Sequence, residues 1–169
     1  MKKAMCVVML IIGIICTLLI LPRARAEMWG KAPMIPTSGK ALWEYLQKED
    51  YAKKWKMWPG KKALYMGREP HGSLLTTYVN EPAYMAIEKK HGMLPEGSIV
   101  AKENYSADKK YMALTVLYKV KGYYSQGNDW FWAKYTPDGK IEAEGKPDMC
   151  IQCHSSQKSN DYIMTAPLK

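Results

Sequence analysis

The chain has 169 residues, with 25 lysines and arginines against 16 aspartates and glutamates, for a formal net charge of +9. That length fits one domain of ordinary size. The basic residues are spread along the chain and not blocked, which reads as a solvated basic surface and sets nucleic-acid binding aside. There is no internal repeat and no low-complexity segment.

Lys2 and Lys3 open the chain, Ala4 to Leu21 follow as an uncharged apolar run, and Ala24-Arg25-Ala26 offers small residues where a signal peptidase reads them. This predicts a Sec-type signal peptide over residues 1–26, cut after Ala26, and a periplasmic or secreted product. The run borders on bilayer-spanning length, so a retained N-terminal membrane anchor is the alternative. Cys16 has no small residues just before it, which argues against a lipoprotein. Cleavage leaves 21 basic and 16 acidic side chains, net +5, a mild positive charge suited to an acidic redox partner. It also leaves two of the four cysteines, Cys150 and Cys153. In an oxidising compartment a purposeless pair would oxidise.

Residues 27–37, with Pro33 and Pro36, read as an extended lead-in, and residues 38–169 as a single domain. Ser38 caps a predicted helix with Leu42, Tyr45 and Leu46 on one face, running to about Lys48. One or two more helical turns start at Asp50 and stop at Pro59-Gly60. Leu74 to Val79 reads as a strand. Asn80 then caps a helix that begins with Glu81-Pro82 and ends at Gly92 after His91. Ser98 to Tyr105 reads as a strand with Val100, Lys102 and Asn104 on one face and Ile99, Ala101 and Glu103 on the other. In the next strand, Tyr111 to Val120, Met112, Leu114, Val116, Tyr118 and Val120 share one face. Tyr111, Ala113, Thr115 and Leu117 share the other. After a turn at Gly127-Asn128-Asp129, Trp130 to Tyr135 forms a strand, and Pro137-Asp138-Gly139 turns it into Lys140 to Glu144. Four or five strands joined mostly by short turns, with helices before and between the early ones, predict an α+β fold, mainly antiparallel β-sheet with flanking helices.

Cys150-Ile151-Gln152-Cys153-His154 is the sharpest signal. In C-x-x-C-H two thiols can add to the two vinyl groups of haem, and the adjacent histidine reaches the iron. A zinc site would need about four ligands, and beyond this motif the mature chain offers only His71 and His91. A thioredoxin-like motif belongs in a βαβ context, which is missing. The motif therefore predicts one covalent haem c, with Cys150 and Cys153 as thioether anchors and His154 as the proximal ligand to the metal. The sixth position stays open to several readings. The chain has 12 methionines, too many to choose among, and most are packing residues. His71, between Pro70 and Gly72, is a possible ligand, though a histidine in such a turn is more often structural.

Pro70 to Asn80, Leu94 to Tyr105, Asn128 to Lys140, Cys150 to His154 and Asn160 to Ile163 together resemble the cytochrome P-460 family, which includes the cytochromes c′-beta. The resemblance implies a mainly antiparallel sheet, a homodimer, and a five-coordinate haem c with an open distal pocket. It also implies a role for Lys102. In P-460 members the lysine at the matching strand position bonds covalently to the porphyrin edge, and those proteins oxidise hydroxylamine with a distal acid to move protons. The cytochromes c′-beta lack that bond and bind NO under an aromatic cap. Without the resemblance, Lys102 reads as an ordinary strand lysine snorkelling to solvent. The strand expected to carry the distal acid shows Ala113, Thr115 and Leu117 instead, leaving Glu103 or Asp129 as proton acceptors from elsewhere. Trp130 and Trp132 share a face, with Phe131 on the other, and read as a haem wall or as aromatic core.

Three functions follow: a haem oxidoreductase acting on hydroxylamine or a related nitrogen oxide and passing electrons to a partner cytochrome, a gas-binding protein that captures NO, and a six-coordinate electron carrier.

Overall fold

The computed structural model describes residues 33–169. The proposed signal peptide, Cys16 and the first part of the lead-in lie outside the described residues. A helix α1 (Gly39–Glu49) is capped by Ser38, whose hydroxyl accepts the Ala41 amide. Asp50, in left-handed backbone, breaks it from the short α2 (Tyr51–Lys54). α2 ends well before Pro59, because Trp55 turns to extended backbone and leads into β1 (Lys56–Met57). Then come β2 (Tyr65–Met66), β3 (Leu74–Val79), α3 (Glu81–Glu88), β4 (Ile99–Tyr105), β5 (Tyr111–Lys119), β6 (Trp130–Tyr135), β7 (Ile141–Gly145) and α4 (Asp148–Ser155).

The strands form one seven-stranded antiparallel sheet, ordered β1-β3-β4-β5-β6-β7 with β2 also on β3. The fold is α+β, as expected. α3 stops at Glu88, short of His91, because Lys90 is already left-handed. Its cap Asn80 does double duty: its side chain accepts the Ile99 amide at 2.9 Å and donates to the Gly97 carbonyl at 2.8 Å, which fastens the helix to the start of β4.

Strand alternation sorts the sheet into two faces. On one, Ile99, Ala101, Leu114, Val116, Tyr118, Phe131, Ala133 and Tyr135 pack with Leu42 and Leu46 of α1 and Tyr51 of α2. On the other lie Val100, Lys102 and Asn104 of β4, paired across to Leu117, Thr115 and Ala113 of β5. One expectation fails at the start of β5. The register shifts between Asn104 and Tyr105, so Tyr105 faces Tyr111. This bulge turns Tyr111 onto the core face, and Met112 is left 49% exposed. A bulge breaks the two-residue period on which face assignments rest.

Candidate functional site

α4 carries the haem motif across the second face of the sheet. Pro147 leads into it and Asp148 sits in its first turn, where a negative charge suits the helix dipole. One helical turn puts Cys150, Cys153 and His154 on the side that lines a cavity of about 930 Å³, counted out into the solvent at its open mouth. Both thiols are free. His154 is buried and its Nδ1–H donates to the Tyr162 carbonyl at 2.7 Å, which fixes the tautomer and leaves Nε2 available to a metal. Burial holds its pKa below the usual histidine value, against the pull of that carbonyl. Trp132 meets the ring edge-on, 4.8 Å between centres.

The Tyr162 carbonyl is aimed by two successive left-handed residues, Asp161 and Tyr162. Asp161 is the anchor of that turn. Its carboxylate is fully buried and accepts from Lys119 Nζ at 2.5 Å, from Asn128 Nδ2 at 3.0 Å and from the Leu94 amide at 2.9 Å. Lys119 in turn lies over the Trp130 ring at 4.4 Å. Nothing in the sequence pointed to this cluster beyond the match of the Asn160 to Ile163 segment.

Lys102 sits beside Thr77 on β3 and Thr115 on β5. It is only 8% exposed, lines the cavity, and has no hydrogen bond or ion pair for its ammonium among the described residues. Burial lowers its pKa to about 8, with the nearby Arg68 charge adding to the effect. An unpaired cation on a mostly buried side chain is costly. The side chain lines the cavity floor instead of snorkelling along an outer sheet surface.

A second cavity of about 660 Å³ adjoins the first, and Pro70, His71, Lys102, Cys153, His154, Met164 and Thr165 line both. Lys61 and Arg68 line the second cavity, with Glu69 beside them. The loop between β2 and β3 delivers His71 to the junction. Gly72 makes that possible: a Cβ there would lie 2.7 Å from the Tyr105 carbonyl oxygen. His71 Nδ1 bonds Asn104 Oδ1 at 3.0 Å, and burial together with the nearby Lys102 charge lowers the pKa of His71 to about 4.

The two carboxylates considered as proton acceptors are elsewhere. Glu103 is on the core face, where the hydroxyls of Tyr51 and Tyr105 donate to it at 3.0 and 2.6 Å. Asp129 accepts the backbone amides of Gly122 and Tyr124 in the β5–β6 turn. Of the aromatic residues, Trp132 lines the larger cavity and its Nε1 is buried without a partner, while Trp130 spends its Nε1 on the Asp161 carbonyl. Asn104, Thr115 and Arg68 are site residues that the sequence did not single out for this role.

Two thiols and a tautomer-fixed imidazole share one wall of a mostly apolar slot, and Lys61 and Arg68 stand at its far end with Glu69. That chemistry fits haem: thiols for the vinyls, a nitrogen for the iron, and cations for the carboxylates. Among the described residues no group of three or more His, Cys, Asp or Glu comes together to hold a bare metal ion. The molecule is a haem-binding cytochrome. A family model described as Cytochrome P460 matches residues 48–165, and the chain belongs to that family. No curated protein matches it.

Proposed function

We propose that the chain is an exported mono-haem c redox protein that acts on hydroxylamine or a related nitrogen oxide. Cys150 and Cys153 hold the haem covalently, His154 supplies the proximal nitrogen, and Lys102 bonds the porphyrin edge. When bound, haem supplies the redox-active iron. The observation that carries the reading is the unpartnered, buried Lys102 in the same cavity as the C-x-x-C-H helix. Its lowered pKa makes the neutral, nucleophilic amine accessible near neutral pH. Forming the bond replaces a ring C–H by C–N, so two electrons and two protons leave; hydrogen peroxide is a sufficient acceptor, being reduced to water.

The product works outside the cytoplasm, as a homodimer, and passes electrons to a partner cytochrome. A second reading, NO binding without turnover, is favoured by one observation: Val100, Leu117 and Trp132 line the larger cavity, and no carboxylate does among the described residues.

Intact mass and the reduced optical spectrum of the matured protein test the proposal together. Haem that stays on the denatured chain is expected, with a red-shifted ferrous band that Lys102→Ala abolishes. Haem that extracts freely refutes the thioether assignment. Identical spectra for wild type and Lys102→Ala refute the lysine bond and move the reading to NO.

A further inference from the structure

Lysines are spread along most of the chain, but one stretch concentrates them. Residues 53–62 hold Lys53, Lys54, Lys56, Lys61 and Lys62 with no acid between them. The stretch runs from the end of α2 through β1 into a tight turn, where the Lys61 amide donates to the Trp58 carbonyl at 2.9 Å. Folding sets Lys53, Lys56 and Lys61 along one open groove with Trp55, Tyr78 and Tyr84, and no carboxylate lines it among the described residues. The aromatic walls are held by packing: Tyr51 meets Trp55 and Tyr78 edge-on, with ring centres 6.0 and 5.6 Å away. Two acids stand at the margin, Asp50 at 3.1 Å from Lys53 and Glu81 at 3.8 Å from Lys56. Lys54, Lys61 and Lys62 have no ion pair among the described residues.

Two simpler accounts fall short. β1 pairs with β3 alone and is a sheet edge, where a lysine deters pairing with another chain. That accounts for Lys56 but not for the lysines before and after the strand. A lipid surface takes apolar side chains that project from a basic face, whereas Trp58 is 1% exposed and Met57 is the one large apolar side chain of the stretch that is exposed. A concave basic groove with aromatic walls fits the acidic side chains of a protein instead. Its place in the fold says which kind. Lys61 lines the groove and the second cavity alike, and its Nζ lies 5.2 Å from the ring centre of Tyr65, which also lines that cavity. A protein seated on the groove therefore stands at the rim of the cofactor site.

We propose that residues 53–62 are the docking site for an acidic redox protein, which they steer to the rim of the second cavity. This rests on the haem c reading above and gives its electron acceptor a place and a charge. Attraction between the groove and an acidic patch speeds encounter and orients the partner, and salt weakens it. In each encounter one electron leaves the reduced protein and reduces the partner's cofactor; no bond is made or broken.

The test is stopped-flow oxidation of the reduced holoprotein by an acidic c-type cytochrome of higher potential, over a range of ionic strength. For wild type the second-order rate constant is expected to fall steeply as salt is added. The triple variant Lys54→Glu, Lys56→Glu, Lys62→Glu is expected to react at least about tenfold more slowly at low salt, with its optical spectrum and urea midpoint kept. A second triple variant, Lys110→Glu, Lys121→Glu, Lys140→Glu, makes the same change of net charge at exposed lysines in the β4–β5, β5–β6 and β6–β7 connections, and is expected to stay within about threefold of wild type. A wild-type rate that ignores salt overturns the proposal, and this measurement decides alone should the first variant not accumulate. Equal losses in the two variants also overturn it, since they would reflect net charge and not a site. An undiminished rate in the first variant, together with loss of binding to phosphatidylglycerol vesicles, would overturn it in favour of a membrane surface. Protein whose intact mass shows no haem overturns the haem c reading itself, and the docking role with it.

Discussion

Replacing Asp161 with alanine probes the turn whose Tyr162 carbonyl holds the His154 ring. Three donors lose their acceptor at once, and the Lys119 ammonium, 8% exposed, is left buried without its counter-charge. Breaking a buried pair by removing one partner costs about 3–5 kcal/mol, and the stranded Leu94 amide adds about 1–3 kcal/mol unless water reaches it. Against a total stability of about 5–15 kcal/mol, that is a large share of the fold. Urea unfolding of the holoprotein measures it: with an m-value of about 1–3 kcal/mol/M, a 4 kcal/mol loss moves the midpoint down by about 1–4 M at unchanged slope. The double variant Asp161→Ala, Lys119→Met removes the orphaned charge and is expected to regain most of the loss. A single variant whose midpoint falls by less than about 0.3 M, or a double variant no better than the single, refutes the view that the ion pair anchors this turn.

Three further outcomes follow from the site. Before any bond forms to the porphyrin, Lys102 holds its proton less tightly folded than unfolded. Between about pH 8 and the ordinary lysine value the unfolded chain binds more protons, so the stability contribution of this residue rises with pH there; Lys102→Met is expected to abolish that rise and to stabilise the protein at pH 7, read by urea unfolding at both pH values. His154→Ala removes the proximal nitrogen while both thioethers remain, and an unchanged optical spectrum would be incompatible with the ligand assignment. Gly72→Ala presses a methyl against the Tyr105 carbonyl, which should destabilise by about 1–3 kcal/mol, read as a lower urea midpoint.

Much of the scaffold was readable because its signals are local. Leu74 to Val79 and Trp130 to Tyr135 carry β-branched and aromatic residues bounded by turns, and they are strands at those limits. Alternation alone put Lys102 and Glu103 on opposite faces, as they are in the fold. The misses have non-local causes. The bulge after Asn104 reassigns Tyr111 and Met112, and no residue type in that stretch announces it. β1 and β2 are two residues each and exist only because β3 offers edges to pair with. His71 was weighed as a turn residue because its sequence neighbours are Pro70 and Gly72; what gives it a direction is Asn104, two strands away. Asp161 owes its role to Lys119 and Leu94, both distant in the chain. The C-x-x-C-H motif was legible for the opposite reason, since its two thiols and its imidazole lie within five consecutive residues of one helix.

The larger cavity has a temporal order written into its walls. All its lining residues up to Ala143 come from the β2–β3 loop and the sheet, and the rest, from Pro147 to Thr165, follow in one block. Chains emerge and fold from the N-terminus, so the sheet, with its other face already closed on α1 and α2, can be complete before Cys150 emerges. The docking of α4 then resembles closing a finished mould with its last side, and the packing of a single short helix becomes the step that completes the cavity.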